Sequence, residues 1–367
     1  DLFTLQPFVM KHVLFFLLAT GLCLSGFAQS DSVQPHIQIS GYGDVYYRYN
    51  FNKNATDNKT SFTNSQNAFE LGMASVKFQG QYQKAGFVAD LGFGRREQEF
   101  AYHDEGIVAA VKQLYVDYAF SDHFMLTMGS FATHMGWELV DPTGNMNYSM
   151  SYCFSYGPFF HTGLKADLNF GKWTAMVGVF DPTDYKTSFY EKYSGMINNR
   201  KNIGAQVTFA PVQTVKIYLN YLEGKDSSGT VNHQIDPIFT WQLTPQLNVV
   251  LCEYFSLYKV PAASTQNWTS SALYLNYTFT PHFGLALRSE YFTDKDGVIA
   301  FSDADPVTYS GGTNIWSFTL SGNIHLGQLT VIPEFRVDHA DQTIFNKPDG
   351  APTQSTASVL VGAYYSF

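Results

Sequence analysis

The chain has 367 residues, of which 14% are charged and 17% aromatic, with a formal net charge of −9. A typical soluble domain carries about 25% charged residues, so this balance argues against a soluble protein, and a 45% hydrophobic content excludes disorder. The mean hydropathy is only −0.13; beyond the N-terminus no apolar run reaches the roughly 18 residues of a spanning helix, and no basic stripe offers itself to nucleic acid.

Residues 1–9 precede Met10 and read as an upstream extension outside the native protein. Met10-Lys11-His12, the apolar run Val13 to Leu24, and Ser25-Gly26-Phe27-Ala28 follow the charged, apolar, small-residue order of a secretory signal peptide. The expectation is a signal over residues 10–28, cleaved near Ala28, and a short periplasmic lead over 29–35. Cys23 lacks the small preceding residue that lipidation requires.

From His36 to Phe367 one unit repeats: a segment of alternating polarity, a tight turn, a second segment, a longer polar loop. The tight turns are expected at Tyr82–Gly86, Phe120–His123, Phe170–Trp173, Phe209–Val212, Leu243–Gln246, Phe279–His282 and Leu326–Gln328. Each closes a strand on an aromatic or Leu, then supplies residues suited to hairpin angles. These turns predict sixteen strands of about 10 membrane-embedded residues each. Alternation is plain where Phe318, Leu320, Ile324 and Leu326 interleave with Ser317, Thr319, Asn323 and His325. Near residues 246–258 Glu253 shares parity with Leu251 and Phe255, which a β-bulge would repair. The last strand sets Val359, Val361, Ala363, Tyr365 and Phe367 on one face. Its terminal aromatic resembles the signal read by the barrel assembly machinery, with Tyr365 and Phe367 as the recognised residues. The fold class is therefore all-β: a closed antiparallel transmembrane β-barrel, with short periplasmic turns and long external loops, in the bacterial outer membrane.

After signal cleavage two cysteines remain, Cys153 and Cys252, placed on wall strands too far apart for a disulfide. The ten histidines show no metal spacing. His103-Asp104-Glu105, Asp294-Lys295-Asp296-Gly297 and Ser302-Asp303-Ala304-Asp305 read as solvated loops that could touch a cation weakly. Gly92-Phe93-Gly94 is read inside a strand, with no helix after it to make a phosphate loop. No catalytic, cofactor or metal residues emerge.

Met135-Gly136-Trp137-Glu138, Asp141-Pro142-Thr143-Gly144-Asn145, Ser149-Met150-Ser151 and Gly157-Pro158-Phe159-Phe160-His161-Thr162-Gly163 resemble the putative β-barrel porin-2 (OmpL-like) family of the Bacteroidota. The resemblance implies an outer-membrane porin passing small hydrophilic solutes, with no catalytic or ligand residues to carry over. Sixteen strands are wide enough for an aqueous channel without that resemblance.

A pore so wide needs narrowing. The third long loop, about residues 134–150, carries Glu138 and Asp141 and holds the ordinal place of the constriction loop of general porins, although an exposed surface loop fits it as well. Arg48, Lys77, Arg288 and Arg336 carry lumen parity on strands near the closing seam. They read either as a basic wall that selects by charge or as a lining neutralised by the interleaved Asp44, Glu290, Glu334 and Asp338. A substrate-specific channel for sugars or anions is the runner-up, with inward Tyr42, Tyr46, Tyr115 and Tyr274 as a sugar track. An outer-membrane hydrolase or structural barrel is less favoured. Expected partners are outer-membrane lipid, the assembly machinery, small solutes and, optionally, further copies of the chain.

Overall fold

The structure, a computed structural model, describes residues 36–102, 104–187, 200–226, 228–299, 301 and 312–367. The signal peptide, its cut near Ala28, His103 and the Ser302–Asp305 stretch lie outside the described residues. Sixteen strands close into one antiparallel barrel. They are β1 (His36–Asn50), β2 (Ala68–Tyr82), β3 (Ala85–Phe93), β4 (Val111–Ser121), β5 (Phe124–Ala132), β6 (Phe160–Phe170), β7 (Trp173–Phe180) and β8 (Asn202–Val212). The second half comprises β9 (Val215–Lys225), β10 (Val231–Gln242), β11 (Leu247–Lys259), β12 (Gln266–Thr280), β13 (Phe283–Asp294), β14 (Thr313–Leu326) and β15 (Leu329–Ala340). A small hairpin, β16 (Phe345–Asn346) and β17 (Pro352–Thr353), precedes the closing strand β18 (Ser355–Ser366), which pairs with both β15 and β1.

Closure is what lipid demands of a sheet, because an unpaired edge would leave backbone N–H and C=O groups without water. The period-2 pattern then assigns faces. Ser317, Thr319 and Ser321 of β14 are buried in the lumen, whereas Trp316, Phe318 and Leu320 are exposed outward. The short turns use the backbone angles their residues allow: Gly171 has φ 75° and Gly327 φ 68°. One expected turn moves. β8 runs through Pro211 to Val212, past a register irregularity after Phe209, and Gln213–Thr214 make the turn.

Three readings from parity and spacing need correction. β11 holds an unbroken register with β12 from Leu247↔Tyr277 to Tyr258↔Gln266, so no bulge turns Glu253 inward, and it faces outward with Leu251 and Phe255. Cys153 is not on the wall but in a one-turn helix, Tyr152–Tyr156, while Cys252 lies on β11; both are buried and free. A short helix, Arg95–Phe100, does follow Gly94.

The outer half of the lumen holds a packed apolar cluster that includes Phe131, Tyr152, Phe180, Tyr254, Trp268 and Phe292. Tyr254 stacks on Trp268 with centroids 4.9 Å apart. At the opposite, short-turn end the barrel seam is fastened by reciprocal bonds. Gly41 N–H donates to the Phe367 carbonyl and Phe367 N–H to the Gly41 carbonyl, each at 3.0 Å. A Cβ on Gly41 would come within 2.9 Å of the Phe367 ring and 2.5 Å of the Ser75 carbonyl, whereas one on Gly43 would meet nothing within 4 Å. Gly41→Val is therefore expected to lower the temperature at which the folded band shifts on a heat-modifiability gel, with Gly43→Val close to the parent. Equal transitions for the two variants would refute the seam assignment.

Candidate pore constriction

The connection between β5 and β6, residues 133–159, enters the lumen. A loop placed there takes its backbone out of bulk water, and each buried N–H and C=O must then find a partner. The wall supplies them. Gly136, at φ 83°, turns the chain inward and donates its N–H to Asp236 Oδ2 of β10 at 2.7 Å. Tyr148 N–H donates to Glu334 of β15 at 2.8 Å. Tyr152 and Cys153 N–H groups both donate to Glu290 of β13, at 2.8 and 2.7 Å. Loop carbonyls are taken by cations: Ser149 O accepts from Arg288 at 2.6 Å and Met150 O from Arg336 at 2.7 Å. Asn147 adds a bond to Ser321 of β14 at 2.7 Å, and the Tyr148 hydroxyl bonds Asp44 of β1. The helix Tyr152–Tyr156 begins where Ser151 Oγ caps Phe154 N–H at 3.0 Å.

This pattern explains why acids and bases alternate on the wall: carboxylates serve the loop's donors and guanidiniums its acceptors. It also locates the sequence-derived residues. Glu138 Oε1 pairs with Arg288 at 2.5 Å, and Glu138 Oε2 accepts from Ser151 N–H and Oγ–H. Asp141 accepts from Lys112 at 2.6 Å and from the Tyr42 hydroxyl at 2.7 Å. Arg288 is 0% accessible at its side chain. Arg336 is held by Asp338 at 2.9 Å, and Arg48 donates to Ser65 O of the first long loop at 2.8 Å. Lys77 is half-buried on β2, opposite Asp90 in the ladder with β3. The arginines therefore hold loops in place, and their charges are not displayed to the channel. Tyr42, Tyr46 and Tyr274 are buried in the lumen and Tyr115 is half-buried, so the four do not line an open track.

Two buried cations, Lys112 and Arg96, were not found by parity. Lys112 shares parity with the outward Leu114, but a register shift between Asp90 and Leu91 turns it into the lumen, where it meets Asp90 at 3.2 Å as well as Asp141. Arg96 sits on the helix Arg95–Phe100, which was not expected after Gly94. Its guanidinium lies 5.0 Å from the centroids of Tyr148 and Phe62 and donates to Val140 O at 3.0 Å. The bulge could have been suspected only from the charge itself, since a lysine facing lipid is costly.

Between this loop and the wall from β5 to β10 lies a cavity of about 340 Å³. Its lining includes Trp137, Lys165, Asp167, Gln206, Tyr218 and Asn220. Lys165 and Asp167 pair at 2.9 Å with side chains 23% and 30% accessible. Among the described residues no three His, Cys, Asp or Glu side chains converge as a metal site. Asp294 gives its carboxylate to the N–H groups of Val298 and Ile299, each at 2.8 Å.

A closed sixteen-stranded barrel with long loops at one end and a loop packed in its lumen defines an outer-membrane porin. The chain belongs to the family described as putative beta-barrel porin-2, OmpL-like, whose model matches residues 36–367. In fold it is similar to an anion-selective porin from Comamonas acidovorans, with TM-score 0.61 and 12% identity over 91% of this chain and 100% of that one. The outer membrane channel DcaP of Acinetobacter baumannii gives TM-score 0.58 and 11% identity over 93% and 99% of the two chains. Salmonella typhi OmpF, in complex with daunomycin, gives 0.56 and 11% over 90% and 97%. No curated protein matches the chain in sequence.

Breaking a buried ion pair by removing one partner costs about 3–5 kcal/mol. Arg288→Met is therefore expected to release the lumen loop: limited proteolysis of the folded protein should cut near residues 138–150 in the variant and spare the parent. Identical digests would show that the pair does not hold the loop. His134, in this loop, donates from Nε2 to the Tyr221 carbonyl at 2.9 Å, and burial pushes its pKa down to about 4. The unfolded chain binds this proton near pH 6.5 and the folded chain near 4, so His134 contributes stability at neutral pH that is lost as pH falls between those values. Chemical denaturation at pH 7 and 4.5 should show a smaller acid-side loss for His134→Gln. An unchanged loss would exclude His134 as its source.

Proposed function

We propose that solutes cross this porin passively, beside the inward loop, through the water-filled cavity against the β5–β10 wall. The observation that carries the reading is the contrast between the two sides of the loop. Toward β1 and β13–β15 the charged side chains are buried in pairs with the loop, whereas toward β6 the Lys165–Asp167 pair remains partly accessible beside the cavity. A solute meets Lys165, Asp167, Gln206 and Asn220 as hydrogen-bonding groups and Trp137 as a rigid apolar edge. Passage needs no catalytic step or cofactor. A sugar-specific track over Tyr42, Tyr46 and Tyr274 is less favoured, because those rings are covered. Release of the loop by solutes or voltage is not needed for this route.

The test combines two measurements on the full protein. Liposome swelling with a graded series of sugars is expected to fall smoothly with solute mass. In planar bilayers Lys165→Glu should move the reversal potential toward cation selectivity, because it reverses a charge at the proposed passage. An unaltered reversal potential would remove the cavity from the conduction path, and saturable uptake would favour the substrate-specific channel.

A further inference from the structure

Glu253 is an acid on the outward face of the barrel wall. Among the described residues its one hydrogen-bond partner is the Ser271 hydroxyl, which donates to Oε2 at 2.5 Å, and no ion pair includes it. Its neighbours along β11, Leu251 and Phe255, are exposed apolar side chains. Across the ladder to β10, the register that pairs Ile235 with Phe255 and Ile238 with Cys252 sets it against Pro237, which brings no N–H.

The strand register gives its depth. One row of paired residues runs from Phe124 at the short-turn end through Leu168, Ala175, Val207 and Leu219 to Pro237, and the register of β10 with β11 carries it on to Glu253. The row continues through Ser271, Tyr291 and Trp316 to His339, next to the long-loop end of β15. Glu253 thus sits near the middle of the wall, where a carboxylate facing hydrocarbon is unfavourable. The hydroxyls Thr269, Ser271, Ser289 and Thr293 share the outward parity of this face on β12 and β13. The outward residues of β14, by contrast, include the exposed Trp316, Phe318, Leu320 and Leu326.

We propose that the β11–β13 face is the contact between copies of this chain, and that Glu253 of one copy accepts a hydrogen bond from Ser289 of the partner subunit. Copies inserted in the same direction are related by an axis along the membrane normal, so groups that meet must lie at equal depth. For strands about 4.8 Å apart tilted about 40°, the paired row climbs about 6 Å over the two strands from Glu253 to Tyr291. Ser289 lies two residues back along β13, which at about 3.3 Å per residue and the same tilt lowers it by about 5 Å. Ser289 therefore returns to the depth of Glu253. A second copy thus brings a hydroxyl to the acid at the right height, which lipid tails cannot do. The proposal rests on the membrane-barrel reading but not on the conduction path, which bilayer conductance reads separately.

The test is cysteine cross-linking in outer membranes with the full protein. Within one barrel, residues 253 and 289 are two strands apart, about 9–10 Å between backbones, beyond disulfide reach. The double variant Glu253→Cys/Ser289→Cys is therefore expected to form an interchain ladder on oxidation that is absent from Ser289→Cys alone. The native Cys153 and Cys252 are buried and do not compete. Native mass spectrometry of the unmodified protein, which needs no substitution, should show an oligomer that Glu253→Leu weakens. A double variant that stays monomeric on oxidation would overturn the proposal. So would a conducting parent that is monomeric in mild detergent, or a bilayer-borne maleimide that labels Glu253→Cys as readily as Leu320→Cys.

Discussion

The structure turns on one constraint: a peptide segment inside a closed barrel has left bulk water and must have its polar groups satisfied by the wall. The third long loop meets it with wall groups from well-separated strands. Asp236, Glu290 and Glu334 receive its amides, while Arg288 and Arg336 donate to its carbonyls. Each of these is a charge-assisted bond, stronger than its neutral counterpart in a low-dielectric interior. The wall charges are consequently complementary to a backbone. That role differs from the display of charge to passing ions, and it accounts for the mixture of signs along the same few strands.

The arrangement also divides the lumen. One side is ionic and closed by the pairing of wall and loop; the outer part is aromatic and packed; the side toward β5–β10 keeps a cavity with partly accessible polar groups. A barrel of this size would otherwise leave a wide channel. Here one loop divides the interior, and the buried pair of Glu138 with Arg288 is chief among the bonds that hold it in place.

The wall was legible because lipid outside and water or loop inside impose period-2 alternation on nearly every strand, as in Ser317–Ser321 against Phe318 and Leu320. The lumen was less legible because parity assigns a face and cannot say what meets a residue there. Arg288 and Arg336 were placed inward, but whether solute, opposite charge or a folded loop would meet them depends on contacts between residues far apart in the chain, such as Glu138 with Arg288. Lys112 was hidden by a bulge that changes register without a sequence mark. Arg96 and Cys153 lie on one-turn helices too short for any periodic signal. Glu253 was the opposite case: its misfit with alternation was visible, the repair by a bulge was wrong, and the misfit itself proved to be the observation.

Tyr148 binds Asp44 of the first strand and Glu334 of the fifteenth, and its ring lies where any side chain on Gly362 of the last strand would stand. It therefore straddles the joint between the first and last strands, the one that turns the sheet into a ring. The lumen loop cannot reach its seat in a barrel whose ends have not met, since the seat is made from both of them. A barrel closed in another register would move Asp44, Glu334 and Gly362 apart and leave no matching place for this ring. A single tyrosine thus ties together strands that come from opposite ends of the chain.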